Sequence, residues 1–269
     1  EGPALNRRLG RYNMSWSGGM VIGPFLGGVL FEKHYAVPFV AAGVLHGVTL
    51  LVALLVTTPQ PDPTSAEPAM DVPPADPGPP PIVATFRTVA RIGLVGSFIA
   101  MGVQRFQLPT LANDLQIREA VFGAVVLVLS LANVLCFAVL GRTHKWHYRL
   151  DWLLGVQVIL AAAIGALVWA RGPWALAAIA AVVGACVGLT YSSSLYYGVS
   201  GGRRRGRLMA IHEMLLSVGF VIGAIGGGFV SDVWGLRAAY PVSAALILVG
   251  VVAQVVAYRR LRPRRIAVV

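Results

Sequence analysis

Eight long apolar segments dominate this 269-residue sequence and leave little room for a water-soluble fold. Hydrophobic residues make up 57% of the chain and charged residues only 12%, roughly half the charged fraction of a soluble protein. Each segment is long enough to cross about 30 Å of hydrocarbon as an α-helix, and none alternates like a barrel strand. The sequence therefore predicts an all-α membrane protein. The predicted spans are residues 13–31, 37–57, 88–111, 120–140, 151–170, 174–198, 208–231 and 238–258.

Two of these segments repeat one pattern at a constant offset of 200 residues. Residues 10–28 read GRYNMSWSGGMVIGPFLGG, and residues 210–228 read AIHEMLLSVGFVIGAIGGG. Glycines account for half of the eight identities between the two copies. An internal repeat of two membrane halves is typical of secondary transporters.

Basic residues are divided unevenly between the two sets of connections that alternate along the chain. One set holds 17 of the 22 lysines and arginines, and the other holds Lys33, Arg118, Arg171 and Arg237. Arg105 lies within a span. Because basic connections stay on the cytoplasmic side, the asymmetry predicts eight spans with both ends of the chain in the cytoplasm. It also explains the pI of about 10.5 better than a nucleic-acid-binding face, which needs a basic soluble surface.

A proline-rich stretch at residues 58–86 separates two spans from six. It holds ten of the seventeen prolines together with four acidic residues, a composition that cannot bury a core. We therefore expect an extended cytoplasmic linker. The predicted domains are two helices that end a first half (1–57), the linker (58–86), a six-helix second half (87–258) and a basic cytoplasmic tail (259–269).

Two helices, a long linker, six helices and a basic tail resemble the later part of a major facilitator superfamily (MFS) transporter. The resemblance implies an MFS-like bundle of two pseudo-symmetric six-helix halves, with the first half truncated to helices 5 and 6. The repeat agrees, because helices 5 and 11 of this family are equivalent. From the 200-residue offset, about 110–130 residues carrying four helices are expected upstream of Glu1.

The first repeat also resembles motif C, the antiporter motif of that family. The motif is a Gly, eight residues, a Gly, three residues, Gly-Pro, two residues and Gly-Gly. It is matched by Gly10, Gly19, Gly23, Pro24, Gly27 and Gly28. The resemblance implies a gating helix of a drug–proton exporter, and a generic close-packing helix is the alternative.

Residue spacing supports close packing independently of the motif. Gly19, Gly23 and Gly27 recur every four residues and share one helix face, on which a neighbouring backbone can approach closely. Pro24 should bend the helix, because it removes a backbone donor. By the repeat, the same face is predicted for Gly219, Gly223 and Gly227.

Polar residues of the third span are candidates for the transport cavity. Gln104, Arg105 and Gln107 precede Pro109, which frees the carbonyl of residue 105 beside the guanidinium. A charge in a span is costly unless it faces a cavity or a partner. Snorkelling of Arg105 to the outer interface is the alternative.

The sixth and seventh spans supply the remaining candidates. Thr190, Ser194 and Tyr197 share a face by helical spacing and could line the cavity, with interhelical hydrogen bonds or an interfacial aromatic belt as alternatives. His212 and Glu213 could titrate during transport. The alternative for Glu213 is a structural ion pair with the Arg203–Arg207 cluster.

No phosphate-binding loop, metal-ligand spacing or nucleophile motif is present, so we expect no enzyme, catalytic residue, cofactor or metal site. We expect a secondary active transporter of the plasma (cell inner) membrane that works by alternating access. Its expected task is efflux of a small organic or drug-like solute in exchange for protons, in contact with the lipid bilayer and without nucleic acid. The alternatives are uptake of a sugar or metabolite, and a non-transporting sensor or scaffold on the same fold.

The predicted topology can be tested with single cysteines in the complete protein. Met70→Cys and Arg204→Cys should be protected from a membrane-impermeant thiol reagent applied to intact cells, whereas Gln116→Cys should be labelled, because basic connections stay inside. Labelling is compared before and after permeabilisation. Reaction of Met70→Cys in intact cells would contradict the predicted order of the spans.

Overall fold

The computed structural model describes residues 2–56, 80–201 and 205–262, with the backbone alone for residues 2, 3 and 205. This part of the chain is all-helical, without strands, and contains eight α-helices. They are α1 (Gly2–Lys33), α2 (Val37–Leu55), α3 (Pro81–Asp114), α4 (Glu119–Leu140), α5 (Leu150–Ala166), α6 (Pro173–Val199), α7 (Arg205–Trp234) and α8 (Ala239–Leu261). Each predicted span corresponds to one helix that is long and apolar enough to cross a membrane.

Helix α3 begins earlier than the composition of the linker suggests. Pro80 is its N-cap and Pro81 occupies its first position, where a proline loses no hydrogen bond because the first N–H groups of a helix have no partner within it. Residues 81–86 are therefore helical and not extended, so α3 begins within the stretch predicted as linker. Residues 58–79 of the predicted linker lie outside the described residues. At the other boundary, Arg259 and Arg260 still belong to the last turn of α8.

The core lies around α3 and α6. Their buried apolar residues join those of α5 and α8 in one cluster that includes Leu111, Leu160, Ile164, Leu176 and Ile247. Because lipid is as apolar as these side chains, the helices are held together by close packing and by polar contacts, not by escape from the solvent.

Glycines bring α7 into backbone contact with α3. A Cβ atom at Gly219 would lie 2.8 Å from the Val95 carbonyl oxygen, and one at Gly223 would overlap the Ile99 carbonyl. Gly227 meets α3 one turn further on. Residue numbers rise together along this contact, so the two helices are parallel and in a fixed register.

Helices α1 and α4 run antiparallel and are in close contact near both ends. A Cβ atom at Gly10 would lie 2.8 Å from the Gly141 Cα atom. Towards the other end, a Cβ atom at Gly123 would lie 2.7 Å from the Pro24 carbonyl oxygen, and one at Gly28 would overlap the start of α4.

A carboxylate of α1 binds the start of α4 beyond the last of these glycines. Glu32 accepts a hydrogen bond of 2.8 Å from the Arg118 guanidinium and one of 3.1 Å from the Ala120 backbone N–H. The first N–H groups of a helix have no acceptor within the helix, and the dipole favours a negative charge there. Glu32 therefore acts as an N-terminal cap supplied by a different helix.

The first repeat differs from the second in its surroundings. Cβ atoms at Gly19, Gly23 and Gly27 would meet no atom of the described residues within 4 Å. No residue of α2 is buried. The glycine face that contacts α3 in the second repeat is thus open in the first, within the part of the chain that the structure describes.

The α3–α7 contact predicts a strong position dependence for bulky substitutions. Gly223→Leu should destabilise the protein by about 3 kcal/mol, because its side chain would overlap the α3 backbone. Gly226→Leu is the matched control, since a Cβ atom there meets nothing within 4 Å. The measurement is the thermal unfolding midpoint of the purified protein in detergent. Equal midpoints for the two variants would contradict the close contact.

Candidate functional site

A cavity with two adjoining lobes lies between α1, α3, α4, α6 and α7. The larger lobe encloses about 650 Å³ and the smaller about 480 Å³. Both are within the range of pockets for small organic ligands. The two lobes share the lining residues Met20, Met101, Arg105, Leu129 and Ser130.

Aromatic rings and methionines form most of the larger lobe. Trp16 lies against Tyr191 and Phe137, with ring centroids 5.6 Å and 6.2 Å apart. The Phe137 and Tyr191 rings are 5.8 Å apart, and Phe98 extends the wall from α3. Such a wall offers a large apolar contact area, with the Tyr191 hydroxyl as a polar group at its edge.

Arg105 and Glu213 are the only charged residues among the described residues that line the two lobes. They lie far apart along the helices. Because Ile99 is level with Gly223 in the parallel α3–α7 contact, the Arg105 Cα lies about 24 Å further along the axis than that of Glu213. The cavity therefore has a positive end and a negative end, with an apolar middle.

Gln104 adds an unusual polar group at the positive end. Its side chain is 3% exposed and lines the smaller lobe. Neither its amide nitrogen nor its amide oxygen has a hydrogen-bond partner among the described residues. Pro109 lines the same lobe, whereas Gln107 is buried and does not line either lobe.

Two further polar side chains, those of Tyr191 and His212, lie next to Glu213 at the negative end of the cavity. The Tyr191 hydroxyl donates a hydrogen bond of 3.3 Å to Glu213, and the fully buried His212 ring meets Tyr191 edge-on at 4.8 Å. The His212 Nδ1 atom lies 3.0 Å from the Ser194 hydroxyl. No described basic residue forms a salt bridge with Glu213. Of the predicted alternative partners in the Arg203–Arg207 cluster, Arg207 is described and forms no salt bridge with Glu213, whereas Arg203, Arg204 and the side chain of Arg205 lie outside the described residues.

The structure places Thr190 away from the cavity. Gln157 of α5 donates hydrogen bonds of 2.9 Å to both the Thr190 and Ser97 hydroxyls. Thr190 in turn donates to the Cys186 carbonyl oxygen. These contacts form a polar network that links α6 to α5 and α3. Interhelical hydrogen bonding of this kind is the alternative to a cavity-lining role for Thr190.

Tyr197 and Ser194 also lie away from the lining. The Tyr197 hydroxyl accepts a hydrogen bond of 2.7 Å from the Tyr148 backbone N–H in the loop between α4 and α5, and its ring packs on Phe86. Ser194 contacts His212 behind the cavity wall. The three residues that helical spacing places on one face, Thr190, Ser194 and Tyr197, contact other parts of the bundle, whereas Tyr191 of α6 lines the cavity.

The α4–α5 loop is fixed by aromatic packing. Trp146 is 1% exposed, and the His147 ring stacks on Tyr196 with centroids 4.1 Å apart. Burial of the His147 ring, together with the charge of His144, lowers the pKa of His147 to about 4, so the ring is neutral at pH 7. A charged ring is thereby avoided within this cluster.

Helix α1 is tied directly to the same loop. The Asn6 amide donates hydrogen bonds to the Leu140 carbonyl oxygen at 2.8 Å and to the Thr143 carbonyl oxygen at 3.2 Å. These contacts lie next to the Gly10–Gly141 approach and close one end of the α1–α4 interface. Glu32 and Arg118 form the corresponding contact at the other end.

Sequence reasoning missed the apolar lining because it searched for polar residues. The signal was nevertheless present in the spacing. Met209, Leu216 and Phe220 recur at intervals of three or four residues around Glu213, which is the only acidic residue of the predicted span 208–231. The periodicity of α7 around Glu213 could therefore have identified its cavity face.

Comparison with known proteins places the chain in a family. Residues 90–268, more than half of the chain, match the family model described as Major Facilitator Superfamily. A comparison with curated proteins gave no match.

Adjacent cysteines on α6 can test the orientation of that helix. In a background with Cys136 and Cys186 replaced by alanine, Tyr191→Cys should react with a water-soluble methanethiosulfonate faster than Thr190→Cys. The reason is that Tyr191 lines the cavity, whereas Thr190 is enclosed by Gln157 and α3. The measurement is the labelling rate in open membrane fragments. Faster labelling of Thr190→Cys would contradict this orientation and would indicate that the polar face of α6 lines the cavity.

Proposed function

This chain belongs to the major facilitator superfamily of multi-pass membrane transporters, and on that premise we propose that it exports a small amphipathic organic solute in exchange for protons. The observation that carries the proposal is the lining of the cavity. Members of the family are transporters and not enzymes, so the proposed role of the cavity is solute binding and translocation. We place the protein in the plasma membrane with its C-terminus in the cytoplasm, on the strength of the asymmetry of basic residues.

The lining favours an amphipathic solute over a sugar. A sugar needs a hydrogen bond for most of its hydroxyls, and unmet polar groups are costly in a membrane interior. The larger lobe instead presents the rings of Trp16, Phe98, Phe137, Tyr191 and Phe220. A sensor or scaffold would need no such cavity, and it would gain nothing from the unpartnered Gln104 amide on its wall.

The two ends of the α1–α4 interface are suited to alternating access. One end is closed by the Gly10–Gly141 approach and Asn6, and the other by the contacts of Gly28 and Glu32 with the start of α4. The cavity lies between them. Rocking of one half against the other would open one end while the other stays closed.

The open glycine face of α1 supports a further set of helices in the complete protein. In the second repeat the equivalent face is covered by α3. By the 200-residue repeat, a helix equivalent to α3 would cover Gly19, Gly23 and Gly27. This arrangement accords with the four helices expected upstream. The direction of transport that the motif C pattern of α1 implies is export.

Glu213 is the proposed proton carrier. It is the only acidic residue among the described lining residues, and its hydrogen bond comes from the neutral Tyr191 hydroxyl. A carboxylate in an apolar membrane cavity binds either a proton or a positive partner. His212, hydrogen-bonded to Ser194, is a second titratable group directly behind it.

The proposal can be tested in inverted membrane vesicles that contain the complete protein. A proton gradient should drive accumulation of at least one member of a panel of amphipathic dyes of positive, negative and zero charge, and nigericin should abolish it. Glu213→Gln should remove the gradient-driven part, because the amide cannot carry a proton between the two sides. Arg171→Gln, at an exposed position outside the cavity, is the control. Absence of accumulation for every dye, or accumulation that survives nigericin, would contradict the proposal.

A further inference from the structure

The carboxylate of Glu213, at the negative end of the cavity, restricts the charge of the solute that can bind there. We propose that the solute is an organic monocation whose charged group lies between Glu213 and the aromatic residues of α1, α4 and α6. This inference rests on the proposed function and deepens it. The aromatic residues are Tyr12, Trp16, Phe137 and Tyr191.

Glu213 requires a positive partner that the described residues do not supply. No described lysine, arginine or histidine lies within salt-bridge distance of its carboxylate. Its hydrogen bond from the Tyr191 hydroxyl carries no formal charge. Ionised carboxylates are costly inside a membrane unless they are paired or face a cavity that a partner can enter. The larger lobe gives a partner direct access to Glu213.

The rings around Glu213 form one connected aromatic wall. Tyr191 touches the carboxylate through its hydroxyl, and Trp16 and Phe137 lie against the Tyr191 ring at centroid distances of 5.6 Å and 5.8 Å. Aromatic rings attract organic cations, and the attraction grows when the cation is desolvated. A carboxylate beside several rings is a site for a substituted ammonium group, and a sugar or an anion would gain little from it.

Arg105 limits the position and the charge of such a solute. It lies about 24 Å from Glu213 along the helix axes, at the other end of the same lobe. Its guanidinium repels a cation from that end and disfavours a second positive charge on the solute. The apolar body of the solute can then occupy the middle of the cavity, against Met20, Met101 and Phe220.

Binding of a cation at Glu213 would link the solute to the proton. One carboxylate carries one negative charge, so a proton and an organic cation exclude each other there. Among the described residues, the other ionisable groups at this end are Tyr12 of α1, Arg91 of α3, Tyr191 of α6 and His212 of α7. None of them adds a second negative charge at neutral pH. This mutual exclusion is the property that an exchanger needs.

The test measures binding of two probes with the same ring and opposite charge. These are naphthylmethyl-trimethylammonium, whose charge does not depend on pH, and naphthalene sulfonate. Binding to the complete purified protein is measured by equilibrium dialysis at neutral pH. The variants are Glu213→Gln, Arg105→Gln, Trp16→Leu and Trp16→Phe, with Trp174→Leu as the aromatic control because Trp174 is 87% exposed and outside the cavity. Thermal unfolding establishes that each variant is folded.

The two charge variants should differ in their effect on binding of the ammonium probe. Glu213→Gln should weaken binding of the ammonium probe at least about tenfold, through loss of the charge attraction, whereas Arg105→Gln should leave it unchanged or tighten it. Trp16→Leu should weaken it about threefold or more, with Trp16→Phe retaining most of the affinity, because the ring supplies the attraction. Trp174→Leu should bind as the unmodified protein does.

Two outcomes would overturn the inference. One is equal binding of the ammonium probe to Glu213→Gln and the unmodified protein. The other is preferential binding of the sulfonate that is lost in Arg105→Gln, which would assign the solute to Arg105 and Gln104 as an organic anion. Either result together with intact proton-driven dye accumulation contradicts this inference alone. Failure of all accumulation contradicts the proposed function itself.

Discussion

Backbone contact through glycine is the constraint on which the arrangement of this protein depends. In lipid, apolar side chains gain little by leaving their surroundings, so helices associate where their backbones can approach closely. Gly219 and Gly223 set the register of α7 on α3, and Gly10 and Gly123 set that of α4 on α1. The cavity lies between these two glycine-based pairs and α6.

Hydrogen bonds made by polar side chains join the helices in addition to close packing. Gln157 joins α5 to α3 and α6, and Gln254 of α8 donates a hydrogen bond to the Val89 carbonyl oxygen of α3 at 3.0 Å. An unpaired polar group is costly in an apolar medium, so a helix shift that broke these hydrogen bonds would be unfavourable. Among the described residues, the buried Gln104 amide has no hydrogen-bond partner and Glu213 accepts a hydrogen bond from Tyr191, and we propose both groups as ligand contacts in the cavity.

Hydropathy predicted the number, order and approximate limits of the helices, because bilayer thickness fixes the length of a spanning helix. The start of α3 was not predicted, since Pro81 is unfavourable within a helix but suitable at its first position. The orientation of α6 was not predicted either. Spacing shows that Thr190, Ser194 and Tyr197 share a face, but the neighbour of that face depends on contacts with α3, α5 and α7. For the same reason, identical glycine patterns in the two repeats gave no indication that only one is covered by a described helix.

The cap that Glu32 places on α4 has a consequence for movement of α1. The cap joins two helices that the proposed mechanism must separate, yet both the carboxylate and its partners lie at the exposed edge of the bundle. When α1 moves away, water can take the place of the carboxylate at the N–H groups of α4, and the carboxylate itself remains hydrated. The contact thus fixes the closed geometry without a large barrier to its release. An equivalent polar contact in the middle of the membrane would have no solvent to replace it and would hold the two helices together.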